Sequence, residues 1–234
     1  MEAERLYREG KLGEAIASLQ EDLRSNPHDV PGRIFLFELL LFRGDFERAR
    51  KQLDVVENAD PESYVGTAYQ KHILRAEEKR QEMFQKGNLP DRMEDDATLK
   101  GSLNGKPFEF LADSDPRIGP RLEMIAGGQY VWMPFSEISR VQVTEPKLLR
   151  DLYWASGEII TRDQPDDDEA KEVLLPAMAA LSWQHPEERV QLGRVTEWQE
   201  TESGDQIPAG QKILFVDDED IPILEVRELI IDHS

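Results

Sequence analysis

The densest concentration of reactive groups in the chain is Asp113-Ser-Asp115-Pro-Arg117-Ile-Gly119-Pro-Arg121-Leu-Glu123. A carboxylate beside two guanidinium groups is a workable catalytic arrangement. Asp113 or Asp115 would take a proton while Arg117 and Arg121 stabilise developing negative charge. The same residues fit a structural reading: Asp115 caps a helix, Pro116 occupies its first turn, and an aspartate pairs with an arginine. No histidine stands near them in sequence, which favours the structural reading.

Other candidates are weaker. Asp166, Asp167, Asp168 and Glu169 could offer oxygen ligands to a hard cation, but they lack the alternating spacing and central glycine of a calcium loop. Asp217, Asp218, Glu219 and Asp220 read as a polar turn between two strands. The four histidines, His28, His72, His185 and His233, form no ligand pair and read as surface or capping residues. No phosphate-binding glycine loop, dinucleotide fingerprint or nucleophile elbow is present, so the sequence calls for no cofactor. With no cysteine in the chain, a thiol nucleophile, a disulfide and Cys-ligated zinc are excluded. Trp132, Trp154, Trp183 and Trp198 are spread singly, as core aromatics usually are.

The charge narrows the partners. The 234 residues carry a formal −20, unevenly placed: residues 1–90 hold 14 basic and 17 acidic side chains, residues 91–234 hold 14 basic and 31 acidic. A field of that sign repels phosphate backbones and argues against nucleic acid; a basic protein surface is the alternative partner. The longest apolar run, Ile34 to Phe42, has nine residues and includes Glu38, far short of the roughly 20 needed to span a bilayer. With no secretory leader pattern at the N-terminus and no cysteine, the expectation is a cytoplasmic protein with no membrane partner.

The elements that must position these residues begin with a repeat. Sliding the N-terminal region by 34 residues puts Gly10 on Gly44, Leu12 on Phe46, Ala15 on Ala49, Leu19 on Leu53 and Pro27 on Pro61. Glycines separate paired helices, alanines sit where the helices approach, and prolines open the next unit. The period and pattern resemble the tetratricopeptide repeat. The spacing predicts helices over Glu2–Arg8, Leu12–Ser25, from Pro31 to Phe42, from Asp45 to about Val56, and a long capping helix from Glu62 to about Gln85. Val65, Tyr69, Ile73, Ala76 and Phe84 lie roughly on one side of the capping helix. In the tetratricopeptide pattern the first helix of each unit faces the concave side. That places Tyr7, Ile34, Leu41 and Phe42 in a groove suited to an amphipathic helix, unless the rest of the chain covers them.

Gly87, Asn88, Leu89 and Pro90, followed by Glu94, Asp95 and Asp96, mark a boundary between a helical domain at 1–88 and a second domain at 94–234. Beyond it the period becomes strand-like. Asn104-Gly105 is a hairpin turn between Thr98–Leu103 and Lys106–Leu111. A short helix is predicted over Arg117–Ile125, and a helical turn from Pro146 to Asp151. Strands are predicted at Tyr130–Met133, Ile138–Val143, Glu158–Arg162, Glu172–Leu175, Val195–Thr201, Lys212–Val216 and Ile223–Ile231, the last with a break. The fold class is α+β: a tetratricopeptide-like helical solenoid followed by a mostly antiparallel-β α+β domain.

Several strings in this domain resemble one family. They are Asp115-Pro-Arg117-Ile-Gly119-Pro-Arg121-Leu-Glu123, Tyr130-Val-Trp132-Met-Pro134-Phe135, Leu149-Arg150-Asp151-Leu152-Tyr153-Trp154, Leu192-Gly193-Arg194-Val-Thr196-Glu197-Trp198 and Pro222-Ile-Leu-Glu225-Val226-Arg227-Glu228. Together with the N-terminal repeats they resemble the ImpE/TagJ family of type VI secretion accessory proteins. Glu197, where aspartate is expected, is a mild departure. The resemblance implies a non-enzymatic adaptor that binds the N-terminal helix of the small sheath subunit (TssB-like). It also implies that the adaptor tunes sheath assembly or its recycling by a ClpV-type ATPase. The alternatives are an enzyme using the Asp/Arg cluster and a general interaction scaffold.

Overall fold

The computed structural model describes residues 1–59, 61–91, 99–164, 169–201 and 204–233. Glu94, Asp95 and Asp96 of the boundary, Thr98 of the first hairpin strand, and Asp166, Asp167 and Asp168 of the acidic cluster lie outside them.

The apolar stripes of the N-terminal region form α1 (Glu2–Arg8), α2 (Leu12–Ser25), α3 (Val30–Phe42), α4 (Phe46–Ala59) and α5 (Tyr64–Lys86). Gly10 and Gly44 take φ of +83° and +70° between the paired helices, a region closed to most side chains. Asp29 caps α3 by accepting from the Gly32 N–H, and Pro31 sits in its first turn. Gly87, at φ +68°, ends α5.

Among its described residues the second region builds thirteen strands in three antiparallel sheets. The largest contains β1 (Gly101–Leu103), β2 (Lys106–Phe108), β4 (Arg121–Ala126), β5 (Gln129–Pro134), β6 (Ile138–Val143), β7 (Trp154–Thr161), β8 (Lys171–Pro176) and β13 (Glu228–Ile231), in the order β2-β1-β13-β6-β7-β8-β4-β5. β3 (Leu111–Asp113), β11 (Ile213–Val216) and β12 (Glu219–Pro222) form a second sheet, and β9 (Glu197–Glu200) pairs with β10 (Gln206–Ala209) in a ribbon. A short helix, α6 (Glu188–Gln191), precedes the ribbon. Asn104 and Gly105 both take positive φ, as the β1–β2 turn requires. Asp217, at φ +51°, turns β11 into β12 and accepts from the N–H groups of Glu109 and Phe110.

The large sheet is covered on both faces, and the pleat sorts its side chains between them. Leu122 and Met124 of β4, Ala155 of β7, and Val173 and Leu175 of β8 face a core shared with Leu111, Leu214 and Ile223. Their neighbours Ile125, Trp154 and Leu174 face the helices, in one apolar cluster with Leu19, Leu40, Phe42, Ile73 and Phe84. The helical and sheet regions therefore share a core.

Two expectations are corrected. Arg117–Ile125 is not helical: a turn over Asp115–Ile118 leads into β4. Pro120 would break such a helix, Gly119 takes φ +63°, and β4, with neighbours on both sides, lacks the alternation that marks a half-exposed strand. The run Ile223–Ile231 divides into a 3₁₀ turn and β13, while β10 and β12 arise where no strand is predicted. On α5, Ile73, Ala76 and Phe84 are buried, but Val65 and Tyr69 of the same stripe are exposed.

Candidate interaction site

The Asp/Arg cluster does not converge on an open pocket. Asp115 accepts from the Arg117 backbone N–H at 3.0 Å and holds its guanidinium, with Nη2 2.6 Å from Oδ2. Arg121 turns away from both aspartates. It donates to the carbonyls of Ile118, Asp91 and Arg117 and stacks over the Trp132 ring with 4.6 Å to the centroid. Asp113 pairs with the buried Lys212 at 2.5 Å.

Asp113 belongs to a larger buried network that joins the two regions. Arg80 of α5 donates Nε–H and Nη2–H to the Glu123 carboxylate at 2.7 and 2.8 Å, reaches Glu77 through Nη1, and donates to the Met178 carbonyl at 2.8 Å. Lys212 bridges Asp113 and Glu123, and Tyr130 O–H donates to Glu123 at 2.6 Å. On the helical side Glu77 accepts from the Trp154 indole N–H at 3.0 Å and from the Gln81 amide at 2.6 Å. Burial opposes the charge on Glu123, but Arg80 and Lys212 overcome it and hold this carboxyl well below the usual range. Burial pushes Asp113 upward against the pull of Lys212. Such a network fixes how the two regions meet, because removing any one charge strands the others without water.

The four groove residues are placed as follows. Leu41 and Phe42 are fully buried, with Phe42 edge-on to Tyr153 of the sheet region at 5.2 Å between ring centroids. These two offer no surface to a partner, because the chain itself fills the end of the trough where they lie. Tyr7 and Ile34 are half-buried against the same cluster. Arg194 lies over the Tyr7 ring at 4.9 Å and donates to the Arg8 carbonyl at 2.7 Å, satisfying the end of α1. Glu188 accepts from the Gly13 N–H at the start of α2, and Trp183 lies against Gly44.

His185, read as a surface or capping residue, is buried; its Nδ1 accepts from the Glu187 N–H at 3.1 Å at the start of α6, and it lies 3.2 Å from the Glu197 carboxylate. Trp154 is core, whereas Trp198 is partly exposed and stacks on Phe215.

Among the described residues apolar side chains stay open singly at Phe110, Val131, Trp198 and Ile230, and as a group on the first turns of α5. Tyr64, Val65 and Tyr69 are 59%, 78% and 52% exposed, and Leu148 beside them is 49% exposed. Tyr69 borders two hollows. One of about 600 Å³ lies towards Lys147, Leu148, Arg150, Trp154 and Leu174, and one of about 430 Å³ lies towards His72, Ile125 and Glu172. Val65 and Tyr69 share one side of α5 with Ile73, Ala76 and Phe84, but only the latter three are covered.

The fold has two parts: tetratricopeptide-like helices sealed by a buried ionic network onto an antiparallel sheet. Residues 6–71 match a tetratricopeptide repeat model, and residues 105–230 match the model of the ImpE protein family. The chain belongs to the ImpE family. It is 32% identical to the type VI secretion system accessory component TagJ of Pseudomonas aeruginosa, over 98% of this chain and 90% of that one. The crystal structure of protein VPA1032 from Vibrio parahaemolyticus has the same fold, with a TM-score of 0.87 at 21% identity over 100% of this chain and 98% of that one. Among the described residues no helix is long and apolar enough to cross a membrane.

Proposed function

We propose that this protein is a non-enzymatic accessory component of a type VI secretion system. It works in the cytoplasm, holds the N-terminal helix of the small sheath subunit, and modulates sheath assembly or its recycling by the ClpV-type ATPase. The observation that carries this reading is the similarity to TagJ along nearly the whole chain. A helical-repeat module with an open apolar face supports it, since such faces take up amphipathic helices. The pairing of Asp115 with Arg117, and of Asp113 with Lys212, supports a structural role for the Asp/Arg cluster. In this reading residues 1–88 and 94–234 are two modules that act as one body.

The test is direct binding between the purified protein and purified small sheath subunit, intact and without its N-terminal helix. The intact subunit is expected to bind and the truncated one to fail. Equal binding of both, or of neither, overturns the reading.

A further inference from the structure

We propose that the exposed face of α5 around Val65 and Tyr69 is the surface that receives the partner, and that the partner adds itself there as an α-helix. This assigns a site to the function proposed above and rests on that reading.

Three observations lead to it. The apolar stripe of α5 runs in steps of four through Val65, Tyr69 and Ile73, yet Ile73 is buried while the first two are exposed. The helix is thus patterned for a cover that its own chain supplies only from Ile73 onwards. Secondly, α5 is the last helix of the stack. Terminal helices of repeat arrays normally turn a polar face outward, and this one presents Tyr64, Val65 and Tyr69 instead. A helix seated here would extend the stacking that already joins α4 to α5.

The third observation concerns the backbone of the occupant. The floor of the two hollows is made by β7, β8 and β4, and each already has a strand on both sides. Along most of that floor the strand edges are already occupied, which favours an occupant that pairs its own backbone. A helix satisfies its own backbone and needs only side-chain contacts. The exposed apolar positions run from Tyr64 to Tyr69, about 8 Å along the helix axis or roughly one and a half turns. Charges of both signs line the hollows: Lys147, Arg150 and Asp151 in one, Glu172 in the other.

The experiment measures fluorescence anisotropy of a labelled peptide spanning the small sheath subunit's N-terminal helix, titrated with the full-length protein. Both target side chains are exposed, so a V65S/Y69A variant should keep its fold, and an unchanged thermal midpoint checks this. The variant is expected to bind about tenfold more weakly or worse, as for loss of interface anchors. Ile34→Ala, in the trough closed by the sheet region, is expected to bind as wild type does. Wild-type binding that the double variant leaves unchanged overturns this surface alone. A wild type that does not bind the peptide overturns the functional reading and the surface with it. A wild-type dimer that the double variant dissociates assigns the face to a second copy and also overturns the proposal.

Discussion

Arg80 on α5 grips Glu123 on β4 through two parallel N–H···O bonds of 2.7 and 2.8 Å, with both side chains fully buried. One guanidinium thereby ties the helical region to the sheet, on the strand next to its β5 edge. Its strength is conditional. Two charges taken from water repay that cost only while each keeps its partner.

Arg80→Ala should therefore be severe. It leaves Glu123 and Glu77 buried with less positive charge nearby, a loss of about 3–5 kcal/mol on the scale of broken buried pairs. Urea unfolding followed by circular dichroism measures it. A loss under about 1 kcal/mol would mean that water reaches the network.

Glu38 of α3 predicts a pH dependence. Burial, opposed by Arg150 3.7 Å away, lifts its carboxyl to about 7 from an ordinary value of 4.5. The folded state then binds a proton that the unfolded state releases, so this group makes stability fall as pH rises from about 4.5 to about 7. Glu38→Gln removes that slope and should stabilise the protein by about 1–3 kcal/mol at pH 8, with little change at pH 4.5. Thermal midpoints across that range check both the sign and the window.

Phe42→Ala is expected to act on stability rather than on partner binding. Phe42 is fully buried against Tyr153, so truncation opens a cavity and costs about 3–5 kcal/mol. Chemical denaturation measures the loss. Intact stability with weakened peptide binding would return Phe42 to the role the repeat pattern suggests.

Gly44→Ala tests the contact between the helical turn and the sheet region. A Cβ there would fall inside van der Waals contact with the Trp183 ring, on a residue held at φ +70°. The overpacking and backbone strain together should cost about 2–4 kcal/mol. In a double-mutant cycle, Trp183→Ala should relieve the overpacking part and leave the backbone part, giving non-additive losses.

The residue order alone determined the helices, the glycine breaks and the Asn104-Gly105 turn. Each depends on contacts or torsions within a few positions: a stripe at three- and four-residue spacing, or a φ that only a few residue types tolerate. The fold class was legible for the same reason. One misread element, β4, lies inside a sheet covered on both faces, where strand alternation fades. The folded structure alone decided which apolar residues are surface. Leu41, Phe42, Val65 and Tyr69 look alike in a helical pattern, yet the chain covers the first two and leaves the last two open. It also chose the partners in the network. Arg80 meets Glu123 from 43 positions away and Met178 from 98, separations over which no local spacing carries a signal. Periodicity states that a face will be buried; only the packed chain states what lies against it.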